Sequence, residues 1–176
     1  NAIRKREAEA MLAGIVLDTN NFEFKTSFRT FEAAAYLRKM GADTIEVKKL
    51  FQVDLESYAS RTSLIMAAKI FRRVAAISVW EQEGHSGFQV IAAQAADEML
   101  DIGGVEASFV LYGENGRVHI SARSLGTINV QLIMERLGGG GHLNVAGAQL
   151  PDHTVSEGIA LLKATIREMK EEGDLN

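Results

Sequence analysis

The 176-residue chain contains no cysteine and only one proline, Pro151. Without cysteine it has no disulfide bond, no zinc–thiolate site and no cysteine nucleophile. No apolar run approaches the roughly 20 residues that a membrane-spanning helix needs, and no signal-peptide pattern is visible. The composition is compatible with a reducing compartment.

Positive charge is also scarce, since 19 lysines and arginines stand against 23 acidic residues and give a net charge of −4. A general basic surface for long nucleic acid is therefore not expected, and any phosphate-binding site must be local. Hydrophobic residues make up 47% of the chain, a proportion typical of a folded globular protein. The chain opens on Asn1 with a helical pattern already under way, so we expect it to be part of a longer protein.

The amino-terminal segment predicts a helix followed by a buried strand at Gly14–Asp18, because a short apolar run that ends in an acid is typical of a parallel sheet. Ligands bind at the carboxyl ends of such strands, which makes Asp18 a candidate ligand. Thr30 is predicted to cap a helix that ends before Gly41. A short helix is predicted over residues 45–51.

Asp54 is predicted to cap a helix through about Ile70, which would connect two lobes. In the second lobe strands alternate with helices, and Asn115-Gly116 predicts a hairpin turn. Strands are expected at 74–80, 105–112, 117–123 and 148–150, and helices at 88–100, 128–137 and 154–172. The fold class is therefore α/β with a mixed sheet. We divide the chain into residues 1–54, a connector at 55–73, and a second domain at 74–176.

The most informative segment is a run of four glycines followed by histidine, Gly138-Gly139-Gly140-Gly141-His142. Glycine permits close approach of backbone N–H groups to an anion, and the histidine adds a donor that can contact a phosphate. The alternative is a flexible connection between a helix and a strand, for which two glycines would suffice. The length of the run favours phosphate binding.

Ser121-Ala122-Arg123-Ser124 precedes the glycine run by about 15 residues, with one short helix between them. An arginine between two hydroxyls is suited to clamp a phosphate, although arginine at a strand end is often only solvated. Asn129 lies near the start of the intervening helix, where free N–H groups favour an anion. These residues are predicted to face one pocket with the glycines.

Together the Ser-x-Arg-Ser segment, the short helix, the Gly138–His142 run and Ala146-Gly147 resemble the DHHA1 domain of the DHH phosphoesterase superfamily. Residues 13–19 resemble the fourth motif of the DHH domain, whose aspartate binds manganese. The resemblance implies that residues 1–54 are the carboxyl-terminal remnant of a parallel-sheet DHH domain and that residues 74–176 are a DHHA1 substrate-binding domain. It further implies that Asp18 is a metal ligand. It also implies that Arg123, the glycines and His142 hold the nucleotide or phosphate, with His142 assisting catalysis. The segment Leu143-Asn144-Val145-Ala146 stands where the superfamily more often has a pair of alanines, and we include Asn144 among the substrate-binding candidates.

Further segments narrow the resemblance to the GdpP-type cyclic-di-AMP phosphodiesterases, namely 9–19, 29–31, 41–44, 120–124, 129–135 and 138–142. That family hydrolyses cyclic di-AMP to the linear dinucleotide pApA with manganese (Mn2+). Its members are typically bacterial and membrane-anchored, with the catalytic part in the cytoplasm. The resemblance implies a cyclic dinucleotide or short oligonucleotide as substrate, and a homodimer is compatible with it.

The family's first three metal-binding motifs are absent from residues 1–176, because all four histidines lie in the second lobe. We therefore expect the chain alone to be inactive although the longer protein is an enzyme. Two alternatives are an oligoribonuclease or pAp phosphatase and a non-catalytic nucleotide-binding module. Among the other polar residues, His119 is predicted to face solvent on its strand, and Asp97 and Glu98 to solvate a helix.

Overall fold

The computed structural model describes residues 3–84 and 87–173, and for residue 83 only the backbone. The chain divides into two compact units, Asn1–Asp54 and Leu55–Asn176. The sequence also predicts that Ser86 caps the helix at 88–100 and that His85 lies in the loop before it, but both residues lie outside the described residues. No helix in the described part of the chain is long and apolar enough to span a membrane.

The described residues of the first unit, 3–54, form three helices, α1 (Lys5–Asp18), α2 (Phe28–Lys39) and α3 (Thr44–Lys49). Apolar side chains at helical spacing form its small core, and the buried ones are Ala8, Leu12, Leu37, Ala42 and Val47. Asp43 caps α3 by accepting a hydrogen bond from the backbone N–H of Ile45.

The strand predicted at Gly14–Asp18 is wrong, because α1 continues without a break through Asp18. The Thr19 hydroxyl closes the helix by donating to the Ile15 carbonyl at 2.7 Å. A four-residue apolar run has the same appearance in a buried strand and in one helical turn. No strand is present among residues 3–54 of the described chain, so the parallel-sheet remnant expected there is not observed. Ser27, rather than Thr30, is the N-cap of α2.

The second unit begins with α4 (Leu55–Met66) and then builds a six-stranded sheet in the order β1-β2-β3-β4-β6-β5. Its strands are β1 (Lys69–Phe71), β2 (Ala75–Glu83), β3 (Ala107–Glu114), β4 (Arg117–Ser124), β5 (Gly140–Gly141) and β6 (Val145–Pro151). Strands β2 and β3 are parallel and the other neighbours are antiparallel. The predicted α/β class with a mixed sheet is confirmed.

Three more helices complete this unit: α5 (Phe88–Met99), α6 (Val130–Arg136) and α7 (Val155–Glu172). Side chains of α4 and α5 pack on one face of the sheet, over β2 and β3, in a cluster that includes Leu64, Ala95 and Val110. Side chains of α6 and α7 pack on the opposite face with residues such as Ile120 and Ala148. On the first face α4 packs on β2, and α5 packs on β3 and β4.

Two strands were not predicted. The helix expected to run to Ile70 ends at Met66, and Lys69–Phe71 forms the edge strand β1. The glycine run supplies the other edge strand, β5, although glycine has a low intrinsic preference for strands. Both strands are so short that pairing with a neighbour, rather than local sequence, decides their conformation.

Candidate functional site

Strand β4 places Ser121 and Arg123 on the same face of the sheet, since they are two residues apart. In the ladder Ser121 pairs with Gly147 of β6, and Gly147 pairs with Gly140 of β5. Directly paired residues of antiparallel strands project to the same face. Ser121, Gly147 and Gly140 therefore form a row of very small residues across three strands, which we call the glycine shelf.

The glycine shelf lies on the face that carries α5, since Ser121 pairs with Val110, which packs in the α5 cluster. Ser121 is nearly buried, whereas Gly140 and Gly147 remain partly accessible. Arg123 flanks the row on one side and His119 on the other, because both share the face of Ser121. The structure thus brings together the serine, the arginine and the glycine run that the sequence predicted to share a pocket.

At three of the four positions in the run, the fold itself requires glycine. Gly138 has φ +77° and ends α6, with its N–H donating to Glu135 and the N–H of Gly139 donating to Met134. A Cβ atom at Gly139 would lie 2.1 Å from the Gly147 carbonyl oxygen, and one at Gly141 would lie 2.5 Å from the Ala146 Cα. These contacts require glycine for close packing of β5 on β6.

Gly140 is different, because a Cβ atom there would meet nothing within 4 Å and its φ lies outside the left-handed region. The fold itself does not require glycine at this position. Its open side faces the shelf, since Gly140 pairs with Gly147. Gly140 is therefore the member of the run that leaves room for a ligand.

The backbone amides of the run are less available than the sequence suggested. The N–H groups of Gly138 and Gly139 donate within the α6 end, and that of His142 donates to the Val145 carbonyl at 2.7 Å. His142 is the first residue of the tight turn between β5 and β6, and it is exposed to solvent. What the run offers a ligand is chiefly space at Gly140 and the exposed side chain of His142.

The Arg123 side chain is held by an acidic residue that was predicted only to solvate a helix. Its Nε donates to Oδ1 of Asp97 on α5 at 2.8 Å, and its Nη1 donates to the Ala122 carbonyl at 3.0 Å. Burial raises the pKa of the Asp97 carboxyl above its ordinary value, although the Arg123 guanidinium opposes that shift. The prediction that Asp97 only solvates a helix is therefore wrong.

Three other predicted binding residues have roles within the fold. The Ser124 side chain lies on the opposite face from Arg123, and its hydroxyl accepts the Gly126 N–H at 2.9 Å. Asn129 is the N-cap of α6, where its Oδ1 accepts the Gln131 N–H at 3.1 Å. Asn144 donates through Nδ2 to the Ser124 carbonyl at 3.0 Å. The three-residue clamp expected at 121–124 therefore reduces to Ser121 and Arg123.

His119 does not simply face solvent, as predicted, but is half-buried and stacks on Tyr112 of β3 with ring centroids 5.0 Å apart. Likewise Glu98 does not merely solvate α5, since it forms an ion pair with Arg61, whose Nε lies 3.1 Å from Glu98 Oε1. In the sequence, the spacing of two residues from His119 to Ser121 was a usable signal for a shared face. The partners Tyr112 and Arg61 were visible only in the structure.

Asp18 lies at the carboxyl-terminal end of α1, and its side chain is 76% exposed. Its nearest ionic partner is Lys25, with Nζ 4.0 Å from Oδ1. Among the described residues there is no group of three or more histidine or acidic side chains that could hold a metal ion. These residues therefore do not form a metal site by themselves, and Asp18 offers a single carboxylate ligand.

The sequence matches the DHHA1 domain family over residues 59–171. It is 51% identical over 169 residues to the cyclic-di-AMP phosphodiesterase GdpP of Geobacillus thermodenitrificans, which covers 95% of this chain and 25% of that protein. It is 49% identical over 156 residues to the cyclic-di-AMP phosphodiesterase PdeA of Listeria monocytogenes, covering 88% of this chain and 24% of that protein. The chain spans about a quarter of the length of these curated relatives.

Among solved structures, an exopolyphosphatase-related protein from Bacteroides fragilis superposes with a TM-score of 0.85. The match covers 96% of this chain and 52% of that protein, at 20% sequence identity. At this identity the likeness concerns the fold alone.

Proposed function

This chain belongs to the DHHA1 domain family, and we propose that it is the nucleotide-binding part of a phosphodiesterase that hydrolyses cyclic di-AMP to pApA. The observation that carries the proposal is the glycine shelf with Arg123 beside it. Two relatives about half identical to this chain bear the name of that activity. The division proposed is an incomplete DHH part at 1–54, a connector at 55–73 and a DHHA1 domain at 74–176.

The shelf is suited to a flat, anionic ligand. Ser121, Gly140 and Gly147 leave the backbone uncovered by large side chains, so a ribose or phosphate can approach the sheet closely. Arg123 is fixed through Nε and Nη1, and its Nη2 remains to donate to a phosphate oxygen. His142, exposed at the end of the glycine run, is proposed to donate to the phosphate or the leaving oxygen.

We extend the proposal to a manganese (Mn2+) centre with Asp18 as one ligand. Manganese prefers oxygen and imidazole ligands, and Asp18 supplies an exposed carboxylate. The described residues contain no group of three or more histidine or acidic side chains that could hold a metal ion, and we propose that most of the other ligands come from residues upstream of this chain. Membrane anchoring, placement in the cytoplasm and assembly as a homodimer remain predictions from the family resemblance.

Hydrolysis of cyclic di-AMP by the longer protein tests this proposal when Asp18→Ala and Arg123→Ala are compared with the unaltered sequence. Asp18→Ala should abolish turnover, yet leave the affinity of this 176-residue chain for cyclic di-AMP nearly unchanged. Arg123→Ala should weaken that affinity first. Full cyclic-di-AMP affinity in the Arg123→Ala chain would contradict the assignment of the phosphate clamp.

Rates on cyclic di-AMP, pApA and pAp, measured with the same longer protein, decide between the proposal and its enzymatic alternative. If the protein turns over pAp or short oligonucleotides faster than cyclic di-AMP, then those molecules, and not cyclic di-AMP, are its substrates. Binding without turnover of any of the three would make the protein a nucleotide-binding module. The 176-residue chain alone is expected to show no manganese-dependent turnover.

A further inference from the structure

A row of four aromatic rings runs from the core of the second unit to the glycine shelf. The rings of Trp80 and Phe88 lie 4.9 Å apart, those of Phe88 and Tyr112 lie 5.0 Å apart, and those of Tyr112 and His119 lie 5.0 Å apart. Phe88 and Tyr112 are almost completely buried, whereas His119 is only half-buried. The row therefore ends in the His119 ring, which packs on the buried Tyr112 ring and belongs to a residue that is partly accessible to solvent.

His119 occupies a defined place beside the shelf. On β4 it precedes Ser121 by two residues and Arg123 by four, which corresponds to roughly 7 Å and 14 Å along the strand. All three project to the same face of the sheet. A ring and a guanidinium thus stand at opposite ends of the row of small residues, with the length of a nucleotide between them.

The orientation of the His119 ring leaves one of its faces for a ligand. The ring is nearly parallel to that of Tyr112, with 15° between their planes, so Tyr112 covers the face toward β3. On its other side β4 pairs with β6, where the residue paired with His119 is Gln149. The side-chain Oε1 of Gln149 accepts from Nη1 of Arg117 at 3.4 Å, and Gly147, two residues earlier on β6, has no side chain. The ring is therefore covered by Tyr112 on one side, and on its other side its neighbours on β6 are the exposed Gln149 and the small Gly147.

We infer that His119 stacks on a nucleobase, while Arg123 holds the phosphate of the same nucleotide and the ribose lies over the glycine shelf. This inference rests on the proposed function and adds to it the residue that binds the base. Stacking on an aromatic ring tolerates different bases because each has a π face. His119 would therefore strengthen binding of nucleotides over sugar phosphates without selecting adenine by hydrogen bonds.

The test compares two ligands with and without a base, AMP and ribose 5-phosphate, by NMR titration of the 176-residue chain. His119→Ala should lower the affinity for AMP by roughly tenfold and leave that for ribose 5-phosphate unchanged, because only AMP has a ring to stack. His119→Phe should restore AMP binding, since it keeps an aromatic face without an imidazole. Arg123→Ala should weaken both ligands, because both carry a phosphate.

A second readout is the fluorescence of 2-aminopurine riboside 5′-monophosphate, which is quenched when the base stacks. Quenching is expected with the unaltered chain and His119→Phe but not with His119→Ala. The inference is overturned if His119→Ala keeps full AMP affinity, or loses both ligands equally without rescue by His119→Phe. If the unaltered chain binds neither ligand, or Arg123→Ala affects neither, the proposed function itself fails and the inference falls with it.

Discussion

Arg123 Nε and Asp97 Oδ1 lie 2.8 Å apart, and this ion pair joins strand β4 to helix α5 at the side of the glycine shelf. The Arg123 side chain is 13% exposed and that of Asp97 is 35% exposed, so the pair is shielded from water on one side only. The second contact of Arg123, from Nη1 to the Ala122 carbonyl, fixes the plane of the guanidinium. A donor held in this way loses little freedom when it binds an anion.

Replacement of Arg123 by lysine should weaken binding of cyclic di-AMP almost as much as replacement by alanine. Lysine is a point charge and cannot bond Asp97 and the ligand with the fixed geometry of a guanidinium. Because hydrogen bonds to charged groups contribute about 1.5–3 kcal/mol, we expect a loss of roughly 10- to 100-fold in affinity. Isothermal titration of the two variants checks this. Near-normal affinity in Arg123→Lys would show that charge alone suffices.

Asp97→Asn should change how stability depends on pH. Burial raises the pKa of Asp97 in the folded chain above its ordinary 3.8, so on a rise in pH the unfolded chain releases this proton first. The contribution of this group to the free energy of unfolding is therefore full below 3.8 and is lost as pH rises through the folded pKa. The Asp97→Asn chain has no carboxyl group at this position and does not lose this contribution. Its free energy of unfolding should therefore increase relative to that of the unaltered chain as pH rises.

Urea unfolding of both chains between about pH 3 and pH 7 measures this difference. Asp101→Asn, which removes an exposed carboxylate just after α5, is the matched control for the loss of one charge. A stability difference between Asp97→Asn and the unaltered chain that stays constant with pH would contradict the prediction.

The glycines of the run should separate into two groups on substitution by alanine. Gly139→Ala and Gly141→Ala introduce a Cβ atom 2.1 Å and 2.5 Å from backbone atoms of β6, so each should destabilise the fold by at least about 1–3 kcal/mol. Gly140→Ala meets nothing within 4 Å and should leave stability nearly unchanged. Its methyl group would project onto the shelf and should weaken binding of cyclic di-AMP. Thermal unfolding and titration together check this, and unchanged affinity in a folded Gly140→Ala chain would remove the shelf from the site.

The two serines of the 121–124 segment should also behave differently. Ser124→Ala removes the acceptor for the Gly126 N–H and should lower stability by about 1 kcal/mol without a direct effect on ligand affinity. Ser121→Ala removes a hydroxyl from the shelf and should lower affinity by up to about tenfold with little effect on stability. Urea unfolding and titration of both variants form the test. If only Ser124→Ala lowered the affinity, Ser124 rather than Ser121 would be the serine that binds the ligand.

Tyr112→Phe should stabilise the fold. The Tyr112 hydroxyl is buried and has no hydrogen-bond partner within the part of the chain that the structure describes, and a buried unpaired polar group costs about 1–3 kcal/mol. Burial, together with the nearby Glu114 carboxylate, raises the pKa of Tyr112 to about 12. The unfolded chain therefore releases this proton at lower pH, and the Tyr112 contribution to stability should fall from about pH 10 upward.

Tyr112→Phe should lack that alkaline loss and keep the ring that supports His119. Urea unfolding at neutral and alkaline pH measures both effects. A variant less stable than the unaltered chain at neutral pH would mean that the hydroxyl has a favourable partner.

Much of the second unit was predictable because its signals are local. Asn115-Gly116 predicted the β3–β4 turn, and both residues do adopt positive φ. In the sequence Thr154 and Glu157 stand three residues apart, the spacing of a capping box, and the structure shows that box at the start of α7. In the first unit, by contrast, the apolar run at Gly14–Asp18 was ambiguous between helix and strand. Its neighbours Ala8 and Leu12 pack against other helices, and that packing fixes the helical outcome.

The sequence by itself determined that a glycine run, a serine and an arginine lie near one another, because one short helix separates them. It also determined the family, since those residues occur in a characteristic order. Only the tertiary structure decided which of them share a face. Strand alternation turned Ser124 away, cross-strand pairing aligned Ser121 with Gly147 and Gly140, and α5 brought Asp97 to Arg123. The physical reason is that pairing register and helix packing depend on contacts between residues far apart in the chain, which no local pattern specifies.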